Sequence, residues 1–151
     1  ERKGLASLPE YYRVEGYGTA SERRHSARGQ LVTLSAVVVK MTVDSQVLKS
    51  EAEGDGPVNA LDLAMRKDMG KYSELIADLE LVDFKVRILD GGTGAVTRVL
   101  VESRDSAGER WYTVGVSPNI IDASFEALYD SITYKLIRTG ASAAINPAKA
   151  Q

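Results

Sequence analysis

The sequence predicts an α+β domain made of two duplicated βββα units, with helices packed on one side of antiparallel sheets and a pseudo-two-fold between the halves. Three observations carry this. Gly54-Asp55-Gly56-Pro57 opens an apolar helical pattern, and Gly115-Val116-Ser117-Pro118 opens another 61 positions later, the mark of an internal repeat. Both are preceded by stretches in which apolar and polar residues alternate, the period of a strand with one buried face. Both helical patterns space their apolar residues by three and four.

In the first unit, placed at residues 9–70 after a leader at 1–8, Tyr11 to Arg23 carries aromatic and β-branched residues and reads as a strand. The charged stretch Ser21 to Gln30 reads as a loop. Leu31 to Val43 is the clearest strand, Val37, Val39, Met41 and Val43 alternating with Val38, Lys40 and Thr42. Asp44-Ser45 is a turn, Gln46 to Glu53 a third strand, and Pro57 to about Met69 a helix with Val58, Leu61, Met65 and Met69 on one face.

The second unit, residues 71–139, repeats the order. Leu79 to Asp90 alternates Val82, Phe84, Val86 and Ile88 with Asp83, Lys85 and Arg87, predicting one buried face. Gly91-Gly92-Thr93-Gly94 turns the chain, Ala95 to Arg104 returns, Asp105 to Gly108 turns again, and Arg110 to Val114 completes the sheet. Pro118 to Arg138 follows as a helix with the stripe Ile121, Phe125, Leu128, Ile132 and Leu136, stopped at Gly140. Residues 140–151 read as a flexible tail. Both helices are expected to start on Pro, capped by Gly56 in one copy and Ser117 in the other. The whole of 9–139 is expected to form one regulatory-sized domain, and the apolar stripe favours a two-fold homodimer.

Composition excludes several classes of function. At 151 residues, 44% hydrophobic and 26% charged, the chain is globular, and no apolar run approaches the ~20 residues of a membrane span. A net charge of −2 gives no footprint for nucleic acid. The absence of cysteine excludes disulfides and thiol chemistry and fits a cytoplasmic protein. A start at Glu1 without methionine is expected of a fragment.

No catalytic and no metal site is predicted. His25, the only histidine, sits in the run Arg23-Arg24-His25-Ser26 without a patterned acid partner, and reads as a solvated residue, as do Arg23, Arg24 and Arg28. No acidic cluster has metal-ligand spacing. The run Gly91-Gly92-Thr93-Gly94 lacks the Lys-Ser/Thr of a phosphate loop and joins two strands, so it reads as a hairpin. Gly54-Asp55-Gly56-Pro57-Val58 is a strand-to-helix turn with more specific chemistry. Helix N–H groups hold a carboxylate, Asp55 suits an ammonium, and Val58 with Phe84 or Ile88 offers apolar wall, which together describe an amino-acid site.

Glu53-Gly54-Asp55-Gly56-Pro57-Val58-Asn59-Ala60, then Asp83 to Asp90 running into Gly94-Ala95, then Trp111 to Ser124 with Ala127-Leu128, resemble the C-terminal regulatory domain of the 2-isopropylmalate synthase and citramalate synthase family. The likeness spans about Leu8 to Leu136. It implies a non-catalytic, dimerising fragment of a transferase that condenses acetyl-CoA with a 2-oxo acid on a metal-dependent (β/α)8 barrel. No cofactor would belong to the fragment itself, acetyl-CoA and a divalent metal being held by the barrel. It also implies feedback inhibition by a branched-chain amino acid, isoleucine or leucine. Carried over by position, the effector motif falls on Gly54, Asp55, Gly56 and Val58, the apolar wall on Leu81, Phe84 and Ile88, and the closing loop on Gly94 and Ala95. Ser117, Pro118 and Asn119 are further candidates. Leucine-regulated relatives commonly carry Asn at the position of Asp55 and His-Ala at Arg87-Ile88, so the pocket resembles the citramalate-type branch. The rival expectation is a dimerisation module without effector binding.

Overall fold

A computed structural model describes residues 11–25, 27–29, 31–43, 46–54, 56–67, 69–89 and 95–140. The expected leader, the turns at Asp44-Ser45 and Gly91 to Gly94, and the tail past Gly140 lie outside these residues. The chain divides into two compact units, Pro9–Ser73 and Glu74–Ser142. Each contains three antiparallel strands and a helix, so the fold is the duplicated βββα arrangement.

In the N-terminal unit β1 (Tyr12–His25), β2 (Leu31–Val43) and β3 (Gln46–Gly54) pair in the order β1-β2-β3. The alternating row of β2 is core: Val37, Val39, Met41 and Val43 are each at most 1% exposed. The register sets Leu48 beside Met41 and Ser50 beside Val39. Helix α1 (Pro57–Lys67) packs on β2 and β3 with Val58, Leu61 and Met65 buried. Fully burying such side chains is worth about 1.5–3 kcal/mol each.

Two expectations change here. The β1–β2 ladder continues to the pair His25↔Leu31, so the charged segment from Ser21 to His25 is strand and His25 is not a loop residue. Backbone pairing overrides composition because charged side chains are tolerated, and protective, on an edge strand. Helix α1 ends at Lys67, before Met69; Met69 is nonetheless fully buried, its N–H donating to Ser73 Oγ at 3.0 Å.

The C-terminal unit holds β4 (Glu80–Leu89), β5 (Val96–Arg104), β6 (Arg110–Ser117) and α2 (Ile120–Arg138), the sheet ordered β4-β5-β6. Leu128, Ile132 and Leu136 of the expected stripe are buried, whereas Ile121 and Phe125 are half-buried. The face of α2 also buries small residues, Ala123, Ser124, Ala127 and Ser131. Small side chains let the helix axis approach the sheet. Glycine on the strand does the same: a Cβ on Gly115 would collide with the Ala123 carbonyl and stand 3.0 Å from the Ala127 nitrogen. Gly54 is the counterpart in the other unit, where a Cβ would stand 2.8 Å from the Ala60 nitrogen.

The expectation of a buried face on β4 is wrong. Phe84, Val86 and Ile88 lie in register with Val101, Val99 and Thr97 on the side that carries α2, yet are 42%, 41% and 70% exposed. The reason is lateral: α2 packs on β6 and β5, and β4 is the strand beyond its reach. The start of α2 also differs. Pro118 precedes the helix, which begins at Ile120, and the N-cap is Asn119, not Ser117. Asn119 Oδ1 accepts from the Ile121 N–H at 2.8 Å and the Asp122 N–H at 3.2 Å. Asn outcompetes Ser for this role because its carbonyl reaches two N–H groups at once, while Ser117 remains in β6 with its Oγ accepting from the Asn119 N–H.

Buried polar groups tie α2 to its sheet. Ser131 Oγ accepts from Trp111 Nε1 at 3.2 Å and shares a short hydrogen bond with Ser103 Oγ, and Thr113 Oγ1 donates to the Ala127 carbonyl at 2.7 Å. At the end of the helix Lys135 Nζ lies 3.1 Å from Asp105 and 3.1 Å from Asp78. Hydrogen bonds from the Ser106 hydroxyl and N–H, with Lys135 beside it, bring the Asp78 carboxyl down to about 2. Burial would raise Asp105 and lower Lys135. The hydrogen bonds between them outweigh it, so Asp105 is held below its ordinary value and Lys135 above.

Candidate functional site

The N-terminal candidates converge on the β3–α1 junction. Gly54 ends β3 with its α-carbon against the backbone of Ala60, and the Gly56 carbonyl accepts the first helical hydrogen bond, from Ala60 N–H at 3.0 Å. Gly56 is therefore the N-cap and Pro57 the first helical residue, where a missing N–H costs nothing. Val58 is buried under the first turn. Asp55 lies outside the described residues.

The two helix starts differ in the caps that the described residues supply. The first N–H groups of a helix have no intrahelical acceptor. In α2 two of them are satisfied by Asn119. In α1 the cap is glycine, and among the described residues no side chain accepts from the Val58 or Asn59 N–H. Among the described residues α1 thus has no counterpart of the Asn119 cap of α2.

In the C-terminal unit five candidates gather at one end of the sheet. Ile88, Thr97 and Ser117 form a single cross-strand row on the face that carries α2. Ala95 leads into β5 beside the end of β4, and Pro118 and Asn119 lead from β6 into α2, all three exposed. Phe84 lies on the same face, four residues back along β4, which is about 13 Å. Leu81 does not join this group. It pairs with Ser103 beyond a bulge at the opposite end of β4, on the order of 23 Å from Ile88. Gly94 lies outside the described residues.

Thr97, the buried link between Ile88 and Ser117, escaped the sequence reading, although the period of Thr97, Val99, Val101 and Ser103 places it on the core face. Asn119, for its part, is committed to capping and has little left to offer a ligand. Asp62 is a second omission: it is buried in α1 with both oxygens held by Arg66, at 3.1 and 2.7 Å. Burial raises its pKa in spite of the opposing Arg66 charge. No group of three or more His, Cys, Asp or Glu that could hold a metal exists among the described residues. No helix among them is long and apolar enough to cross a membrane.

Residues 4–136 match the LeuA allosteric (dimerisation) domain. The chain belongs to that family. It is 41% identical over 137 residues to an (R)-citramalate synthase of Geobacter sulfurreducens, a match covering 89% of this chain and 25% of that protein. An (R)-citramalate synthase of Synechocystis sp. is 42% identical over 137 residues, again 89% of this chain and 25% of the relative. A 2-isopropylmalate synthase of Methanocaldococcus jannaschii matches at 31% over 94 residues, 62% of this chain and 17% of the relative. The LeuA-type domain thus spans about a quarter of the length of its citramalate synthase relatives.

Proposed function

We propose that this LeuA-type domain binds a branched-chain amino acid and thereby regulates an acetyl-CoA-dependent enzyme of the citramalate synthase type, of which it is a non-catalytic part. The start of α1, which among the described residues has no side-chain cap of the kind Asn119 gives α2, carries this reading. The Val58 and Asn59 N–H groups and the helix dipole suit the effector carboxylate, and Asp55 suits its ammonium. In the duplicate copy the corresponding donors, the Ile121 and Asp122 N–H groups, are taken by Asn119. Isoleucine is the favoured effector, because the relatives at 41% and 42% identity are (R)-citramalate synthases and Ile88 stands where leucine-regulated relatives commonly carry a smaller residue. The acetyl-CoA and divalent-metal sites of such an enzyme would lie outside this chain; among the described residues no group of three or more His, Cys, Asp or Glu could hold a metal, and no catalytic step is assigned to them.

Calorimetric titration with isoleucine, leucine and valine tests the proposal directly. We expect saturable binding of isoleucine, and a loss of roughly ten- to a hundredfold in Asp55→Ala, the worth of one charge-assisted hydrogen bond. Unchanged affinity in that variant would reduce Asp55 to a turn residue.

A second reading has its own observation. Phe84, Val86 and Ile88 form an uncovered apolar row on an edge strand, a surface a second copy would bury in a homodimer without any effector. Sedimentation of the apo domain showing a dimer, combined with no heat on adding any of the three amino acids, would favour it.

A further inference from the structure

The C-terminal unit opens on a segment fastened by side chains. Residues 74–79 lead from Ser73, where the N-terminal unit ends, to the start of β4. They fold as turns, closed by the Ala77 N–H donating to the Glu74 carbonyl at 3.4 Å and the Leu79 N–H donating to the Ile76 carbonyl at 3.0 Å. Asp78 fastens them. Its Oδ2 accepts from the Ser106 N–H at 3.1 Å and the Ser106 hydroxyl at 2.7 Å, both in the β5–β6 turn, and Lys135 Nζ, near the end of α2, lies 3.1 Å from its Oδ1. Ile76 and Leu79 are buried, 2% and 6% exposed.

Two features let this segment leave without unfolding the rest. The β4–β5 ladder shifts register between Leu81 and Asp83, which separates the pairs Glu80↔Arg104 and Leu81↔Ser103 from the regular ladder running from Asp83 to Leu89. Lys135, for its part, is not orphaned by the loss of Asp78. Asp105 Oδ2 lies 3.1 Å from the same ammonium, while Asp105 Oδ1 accepts from the Ala107 and Glu109 N–H groups at 3.0 Å each. The buried cation and the β5–β6 turn keep a carboxylate of their own, so no unpaired buried charge opposes release.

We propose that residues 74–81 are a releasable strap: the segment lifts from the C-terminal unit as one piece, hinging at the bulge before Asp83, while β5, β6 and α2 stay folded. Opening breaks the Asp78 bonds, the exposed Arg104–Glu80 ion pair at 2.8 Å and the two pairs beyond the bulge, and it exposes Ile76 and Leu79. Released, these residues become free chain between the two units, a tether of up to about 26–29 Å. The strap thus switches the covalent connection between the units from bound to slack.

Native-state hydrogen exchange of the 151-residue chain, read by peptide mass, tests this. Amides of residues 74–81 should exchange faster than those of β5 and α2, and at a rate that low urea leaves unchanged, since a local opening exposes little surface. Asp78→Ala should raise the strap's rate about fivefold, and Ser106→Ala, which removes one donor, by less. Asp105→Asn separates the strap from a merely stabilising cluster. Asn Oδ1 still accepts from the two turn N–H groups and Asp78 becomes the carboxylate left to Lys135, so the strap should exchange no faster than in the wild type. A strap whose exchange follows urea as β5 and α2 do, that ignores Asp78→Ala, or that speeds up in Asp105→Asn would each overturn the proposal.

Discussion

Gly115 on β6 lies directly under Ala123 of α2, so close that no side chain fits between strand and helix. The contact sets the height of α2 over its sheet at the end where Ile88, Thr97 and Ser117 share a row. Gly115→Ala should therefore displace the first turns of α2 and destabilise the domain by about 1–3 kcal/mol, the usual cost of overpacking. Gly18→Ala, with nothing within 4 Å of the new methyl, should leave stability unchanged or slightly raised. Urea midpoints of the two variants decide it; equal midpoints would mean that the helix yields without cost.

Asn119→Ala should remove both cap hydrogen bonds of α2 and cost about 1 kcal/mol. Ser117→Ala should cost less, since Ser117 Oγ accepts only from the Asn119 N–H, at 3.2 Å. Denaturant melts that rank the two in the opposite order would restore Ser117 as the effective cap.

The ion cluster at the other end of α2 predicts a pH dependence. The Asp78 carboxyl titrates at about 2 in the folded chain against an ordinary 3.8. A depressed folded value means that the unfolded state binds the proton first, so the stabilisation is complete above about pH 4 and is lost as the pH falls toward 2. Asp78 is about a third exposed and screened by water, so we expect on the order of 1 kcal/mol from it. Lys135→Met leaves Asp78 and Asp105 without their shared cation, and should lower stability at neutral pH while shrinking the loss between pH 4 and 2. Thermal melts across that range give the comparison, and an identical acid limb in wild type and variant would remove Lys135 from the cluster's energetics.

Ile88→Ala tests the identity of the effector. Removing the branched side chain from the β4 row should weaken isoleucine binding and penalise leucine less, lowering the isoleucine-to-leucine affinity ratio by about 1 kcal/mol. Paired titrations measure it. A wild type that prefers leucine would overturn the assignment of isoleucine as the effector.

Much of this protein is legible in its sequence because its strongest signals are local. The period-two run Val37 to Val43 and the helical spacing of Leu128, Ile132 and Leu136 identify core faces, since alternation and 3.6-residue periodicity follow from backbone geometry alone. The glycine-marked strand ends at Gly54 and Gly115 are visible as a repeat, and the family motif around Gly54 to Ala60 is contiguous. Lateral position is another matter. Phe84, Val86 and Ile88 have the pattern of a buried row, but burial depends on where α2 lands, and α2 lands on β5 and β6. The row Ile88, Thr97, Ser117 and the facing cations Arg87 and Arg98 exist only through strand register, which joins residues distant in sequence. The different caps of α1 and α2 were likewise decided by geometry: which side chain reaches the free N–H groups depends on how the chain leaves the strand, and at α2 that side chain belongs to Asn119.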